Sequence, residues 1–180
     1  KSSTMTHLSL LVLKNTPILS ALSASALTYG QTLSESKVTG TATPAANTAG
    51  LTIPVAGTYA FTDATLIPDV ATEEYEVTFT PTDAKNYNIA TGMVSVSVTP
   101  VDMSKVTLAP ITDQPYTSNF VTPTLSLTYK GMPLVEYEDY QVVYGNNVEL
   151  STTNSPATVS IIGMGNYKGT LKSTFKIVNS

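Results

Sequence analysis

The chain has 180 residues, of which 42% are hydrophobic and 12% charged, and its formal net charge is −4. The charged share is about half of the roughly 25% usual in globular domains, and the apolar share is enough for buried cores, so neither a disordered acidic chain nor a charged coiled coil fits. With no cysteine and no arginine, disulfides, zinc–thiolate centres and thiol nucleophiles are excluded, and the guanidinium fork that reads phosphates and base edges is missing, so nucleic acid is not an expected partner.

At the N-terminus, Lys1, the apolar run Leu8-Ser9-Leu10-Leu11-Val12-Leu13 and Ala24-Ser25-Ala26 imitate a signal peptide. Lys14-Asn15-Thr16-Pro17 breaks the imitation with a charge and a turn. The run is also far shorter than the roughly 20 residues that cross a bilayer, so no membrane insertion is expected in this segment. It reads as a strand.

Next come short strands near 18–22, 27–29, 37–39, 58–62, 75–80 and 93–99, punctuated by Gly40, Pro44, Gly50, Pro54, Gly57, Pro68 and Pro81. The stretch Thr41 to Val55 is rich in Ala and Thr and departs most from a strand pattern. After Pro100 the alternation predicts strands at 106–108, 124–129, 134–135, 140–144, 157–162 and 170–178. Lys130-Gly131 reads as a tight turn between two of them, because Gly accepts the positive φ that hairpins need. No stretch carries an amphipathic helical pattern of ten residues.

Self-similarity then sets the domain organisation. Val77-Thr78-Phe79-Thr80, Asn86-Tyr87 and Gly92 to Val98 form a strand, a turn and a strand, and Val159 to Ile162, Asn166-Tyr167 and Gly169 to Val178 repeat that order. Residues 15–99 and 100–180 are each expected to be one domain ending in this hairpin, with a restrained Pro-containing link at Pro100-Val101-Asp102. Residues 1–14 then read as the closing strand of a truncated upstream repeat. Six or seven strands in about 80 to 85 residues indicate an all-β chain of two tandem immunoglobulin-like β-sandwich domains.

The motifs that carry a resemblance are Ala24 to Leu33 (with Thr28-Tyr29-Gly30-Gln31-Thr32), Tyr75 to Asn88, Tyr129 to Leu134, Asp139 to Asn147 and Gly163 to Gly169. The chain resembles tandem immunoglobulin-like repeat modules of bacterial cell-surface proteins and adhesins. The resemblance implies a location outside the cell on the bacterial surface, a stalk with a contribution to adhesion, and neighbouring repeats of the same chain as partners. It carries over no ligand residues.

Candidate chemistry is sparse. His7, the one histidine, has no nucleophile or acid near it in sequence, and a Ser-His-Asp arrangement would need a pocket that the leading segment does not supply. The acidic groups Asp63, Asp69, Glu73, Glu74 and Glu136, Glu138, Asp139 lack the spacing of a calcium loop and read as solvated edges. A carboxylate pair for glycoside hydrolysis is disfavoured, because a small sandwich fills its interior with side chains. No catalytic residue, cofactor or metal ligand is expected.

Tyrosine is the informative residue type, with 10 Tyr against 4 Phe and no Trp. Tyr140 and Tyr144 share a strand face with Val142 and are expected at the core or its rim. Tyr116 and Tyr137, beside turn signals, are the expected exposed rings for contact with a host or cell-surface glycan or protein. The expected function is a non-enzymatic structural spacer. The alternatives are a glycan- or protein-binding module, or an accessory domain of a surface hydrolase.

Overall fold

The structure is a computed structural model that describes residues 13–45 and 53–179. The strand expected in residues 1–14, with His7, lies outside the described residues except for Leu13 and Lys14, and so do residues 46–52 of the Ala- and Thr-rich stretch. The fold is all-β: strands account for 49% and no helix among the described residues reaches seven residues, as the alternating pattern and the abundance of β-branched residues predict.

In chain order the strands are β1 (Ile18–Ala24), β2 (Leu27–Thr28), β3 (Val38–Thr43), β4 (Gly57–Phe61), β5 (Thr72–Pro81), β6 (Ala90–Thr99), β7 (Val101–Asp102) and β8 (Thr107–Leu108). They continue as β9 (Gln114–Pro115), β10 (Leu127–Tyr129), β11 (Met132–Pro133), β12 (Tyr140–Gly145), β13 (Ala157–Gly163), β14 (Tyr167–Lys168), β15 (Thr170–Phe175) and β16 (Ile177–Val178). The chain forms two compact units. One holds residues up to Ser25, Leu33–Leu66 and Glu73–Val96; the other holds Ala26–Thr32, Ile67–Thr72 and the residues from Ser97 on.

In the first unit β1 pairs antiparallel with β3, from Ile18 opposite Thr43 to Ala24 opposite Val38. The ladder slips between Ser20 and Ser23, where Ala21 takes φ +50°; an extra residue in one strand is accommodated by such a bulge. β4 pairs antiparallel with β5, which lies between β4 and β6. Alternation places Val77 and Phe79 inside while Glu76 and Thr80 face water. Phe79 joins Ala42 of β3 and Val55 in one core, flanked by Leu19, Tyr59 and Tyr87. Burial of such a side chain contributes about 1.5–3 kcal/mol, and the cluster, with the Val55 N–H donating to the Ala42 carbonyl at 2.8 Å, joins the β1–β3 and β4–β5 pairs.

In the second unit β13 is the central strand, antiparallel to β12 on one side and to β15 on the other. β10 lies between β8 and β11. The β10–β11 hairpin closes through the expected tight turn at Lys130 and Gly131, both at positive φ (49° and 80°), a conformation that glycine takes readily and lysine only in such two-residue hairpin turns. The main core gathers Met103, Leu127, Tyr140, Val159, Ile161 and Tyr167. A smaller cluster holds Val121, Ala157, Phe175 and Ile177.

The expected faces hold along both closing strands. Val94, Val96 and Val98 are buried and Ser95 and Ser97 exposed; Phe175 and Ile177 are buried, Leu171 half-buried, and Lys172 and Lys176 exposed. Three expected strands change: the one placed at 124–129 is confined to β10 at Leu127–Tyr129, and two others shift. The one placed at 134–135 is β11 at Met132–Pro133, because a two-residue turn starts pairing at once, with Tyr129 opposite Met132. The one placed at 170–178 breaks at Lys176: β15 stays with β13, and Ile177 and Val178 pair in parallel with β9.

Short parallel pairs recur. Asn15 bridges to Tyr87, β2 pairs with the end of β6 through Leu27 and Val98, β7 pairs with β14, and β9 with β16. The two Asn-Tyr turns act alike: the carbonyl of Asn86 accepts the N–H of Asn15, and the carbonyl of Asn166 accepts that of Val101. Each docks the segment that leads into its own half of the sequence.

Candidate functional site

The second unit carries a cleft of about 480 Å³ lined in part by Thr122, Thr124, Glu136, Tyr137, Tyr140 and Tyr144. β12 supplies Tyr140 and Tyr144, which fall on one face because side chains alternate along a strand. The expectation for this pair holds: Tyr140 is buried in the main core and Tyr144 is half-buried. The Tyr144 ring meets Phe175 edge-on, with centroids 6.2 Å apart, and its hydroxyl donates to the Pro123 carbonyl at 3.1 Å. Both contacts hold the ring as a fixed wall.

The turn before β12 presents Tyr137. Its φ is +71°, a left-handed conformation that a bulky residue adopts only when its surroundings impose it. Three hydrogen bonds impose it here: Tyr137 N–H to the Tyr140 carbonyl at 2.7 Å, Asp139 N–H to the Val135 carbonyl at 2.8 Å, and Val135 N–H to Asp139 Oδ2 at 2.9 Å. The residue is 78% exposed. It is therefore a large aromatic surface held in water by a rigid turn. The Glu136 carboxylate is near enough to push the Tyr140 and Tyr144 phenols above their ordinary range, adding to the larger effect of burial.

Of the two tyrosines expected to be exposed, Tyr137 sits at this cleft and Tyr116 does not line it. Tyr116 is half-buried against the Val121, Ala157, Phe175 and Ile177 cluster, and its N–H donates to the Val178 carbonyl at 2.9 Å. The structure does not bring the two into one site. Thr122, Thr124 and Glu136 were not singled out as partners of Tyr137. Threonines so far away in sequence give no local signal, whereas the Glu136-Tyr137 pair is visible as a carboxylate next to an aromatic ring.

Among the described residues no group of three or more His, Cys, Asp or Glu side chains is placed to hold a metal ion. In the second acidic group, Asp139 instead caps the turn that carries Tyr137. A second cleft, in the first unit, is lined by Pro44, Pro54, Val55, Asp83 and Tyr87 among others. Its one carboxylate, Asp83, accepts from the Asn86 side chain at 2.6 Å and from the Lys85 and Asn86 N–H groups. These bonds hold its carboxyl below the usual carboxylate range and leave it occupied with the Asn-Tyr turn. No helix among the described residues is long and apolar enough to cross a membrane.

A scan against protein-family models, a search of curated proteins and a search of solved structures each found no match for this chain.

Proposed function

We propose that the chain is a non-enzymatic spacer segment of a bacterial cell-surface protein, outside the cell, built as two tandem immunoglobulin-like β-sandwich domains over residues 15–99 and 100–180. Its partners in this reading are neighbouring repeats of the same chain. The observation that carries it is the parallel pairing of an early strand with a closing strand in each half of the sequence, β2 with the end of β6 and β9 with β16, the paired residues of both lying in the second compact unit.

The physical reason is the direction of load. A pull on the two ends of a chain draws an early and a late strand in opposite directions. If the two lie parallel and adjacent, the hydrogen bonds between them are sheared together, whereas an antiparallel hairpin opened from its free end loses them one by one. In the second half these bonds run from Gln114 N–H to the Lys176 carbonyl at 2.8 Å and from Tyr116 N–H to the Val178 carbonyl at 2.9 Å. Resistance to force depends on the unfolding rate, so a shear-loaded pair serves a stalk without needing high equilibrium stability.

Single-molecule pulling of the chain between marker domains tests this reading. Gln114→Pro removes one of the two donors. It should lower the unfolding force of the second half clearly more than Ile161→Val, a core change that leaves these hydrogen bonds in place. Equal forces in the two variants would remove the load-bearing role, and antibodies to the chain that fail to label intact producing cells would remove the surface location.

A further inference from the structure

None of the residues that line the tyrosine-bearing cleft belongs to β9 or β16, and its composition selects a ligand class. We propose that it is a binding subsite for one residue of a neutral glycan, whose ring face stacks on Tyr137 while its hydroxyls bond to Glu136, Thr122 and Thr124. The inference goes beyond the spacer reading and stands independently of it.

The cleft volume of about 480 Å³ lies in the roughly 300–1,000 Å³ range of small-molecule sites. A sugar ring offers an apolar C–H face and a rim of hydroxyls, and the cleft offers the complement. Tyr137, 78% exposed, offers its aromatic ring to that apolar face. Its rigid turn has already fixed the backbone, so binding orders little more than the ligand and two χ angles. The Glu136 carboxylate offers acceptor oxygens, and the threonine hydroxyls both donate and accept. Sugar hydroxyls satisfy both kinds of partner.

The same lining rejects other classes. An anionic sugar or a phosphate would meet the Glu136 carboxylate, and no lysine lines the cleft. A quaternary ammonium needs several free ring faces around it, but Tyr140 is only 5% exposed and the Tyr144 ring is engaged by Phe175 and Pro123. A purely apolar side chain would leave the threonines and the carboxylate without partners.

The probes are cellohexaose, maltohexaose, xylohexaose, laminarihexaose and chitohexaose, with choline chloride and galacturonic acid for comparison, each titrated into the whole chain at up to about 10 mM and followed by NMR. The expected result is saturable shifts of the Tyr137 ring and Glu136 amide signals with at least one neutral oligosaccharide. Tyr137→Ala should weaken that binding roughly tenfold or more, and Tyr137→Phe should retain it, because the ring face carries the stacking. Glu136→Gln should weaken it severalfold. Val143→Ala, on the opposite face of β12 and 55% exposed, should leave it unchanged. If no neutral oligosaccharide shifts these signals, if choline or galacturonic acid does so instead, or if Tyr137→Ala binds as the parent does, the proposal is overturned.

Discussion

Asn15 is held at both ends of its peptide by the turn around Tyr87: its N–H donates to the Asn86 carbonyl at 2.8 Å and its carbonyl accepts from Asn88 N–H at 2.9 Å. Its side chain adds a second clasp. Nδ2 donates to the Ala45 carbonyl at 3.1 Å and Oδ1 accepts the Ala45 N–H at 2.9 Å. One residue thus ties the start of the described first unit both to the turn after β5 and to the segment just after β3.

Asn15→Ala removes the side-chain clasp and leaves the backbone one. Two partly buried hydrogen bonds are lost and the Ala45 groups are left to water, so the expected destabilisation is about 1–2 kcal/mol. Amide hydrogen exchange separates the two clasps. Ala45 N–H should lose protection while Asn88 N–H keeps it, and loss of both would mean that the side chain, not the backbone pairing, anchors the segment.

The alternation along β15 and β16 makes a sharper contrast between neighbours. Phe175 is 3% exposed and packs edge-on against Tyr144, whereas Lys176 points to water. Phe175→Ala should destabilise by about 3–5 kcal/mol, the range for emptying an aromatic site in a core. Lys176→Ala should stay within about 0.5 kcal/mol. Urea unfolding midpoints that rank the two the other way would place the strand one residue out of register.

These faces were legible in the sequence because period two is a local signal: Val94, Val96 and Val98 reveal their side of the sheet without reference to any partner. The turn at Lys130-Gly131 was legible from its glycine, which takes positive φ freely, whereas the left-handed conformation of Lys130 was not, because lysine has no preference for it. The two-residue strands β7, β9 and β14 were not legible. They carry no alternation, and what makes them strands is a distant parallel partner. The break at Lys176 was hidden likewise, because Phe175 and Ile177 keep the period of two while the backbone changes partner between them. At the cleft, Tyr137 could be singled out from the turn residues around it, but its distance from Tyr116 and its closeness to Thr122 and Thr124 depend on tertiary folding.

Two glycines separate backbone strain from crowding. Gly131 sits at φ +80° with open space where a side chain would go, so Gly131→Ala should cost about 1 kcal/mol from the left-handed conformation alone, and Gly131→Asn clearly less. At Gly57 a Cβ would run into the Thr80 carbonyl and the Phe79 ring. Gly57→Ala should therefore cost more than Gly131→Ala, because backbone and a buried ring would both have to move. Thermal unfolding of the three variants orders them, and a milder effect at Gly57 would show that β4 can slide away from β5.

At acid pH the groups to watch are Asp83 and Asp102. Hydrogen bonds from Asn86 hold Asp83 below the usual carboxylate range, and the Ser104 N–H does the same for Asp102 at the start of its turn. A carboxyl depressed by folding lends stability above its unfolded value of about 4, and that stability is lost as pH falls through the folded value. NMR titration should show both carboxylates still ionised where free Asp is half-protonated. Asp102→Asn should leave less acid dependence in the second unit, and an unchanged dependence would assign it to other carboxylates.

At alkaline pH the dominant group is Tyr167. It is 4% exposed, with the Tyr29 ring edge-on at 5.5 Å and the Tyr129 ring at 6.2 Å, all in the second unit. Burial, followed by the neighbouring phenol of Tyr29 and the Asp139 carboxylate, raises its phenol far above 10; burial comes first for Tyr29, Tyr140 and Tyr144 as well. In each case the folded chain holds the proton more tightly than the unfolded chain. Stability is then fully present below the unfolded value of about 10 and falls as pH rises above it, because only the unfolded state gains by ionising. Tyr167→Phe keeps the ring but removes the ionisable group, so unfolding midpoints measured from about pH 9 to 11 should fall less steeply in this variant than in the parent. A parent whose stability is flat across that range, or a variant with the same slope, would mean that Tyr167 ionises as easily in the folded chain as in the unfolded one, and that the ring cluster is open to water.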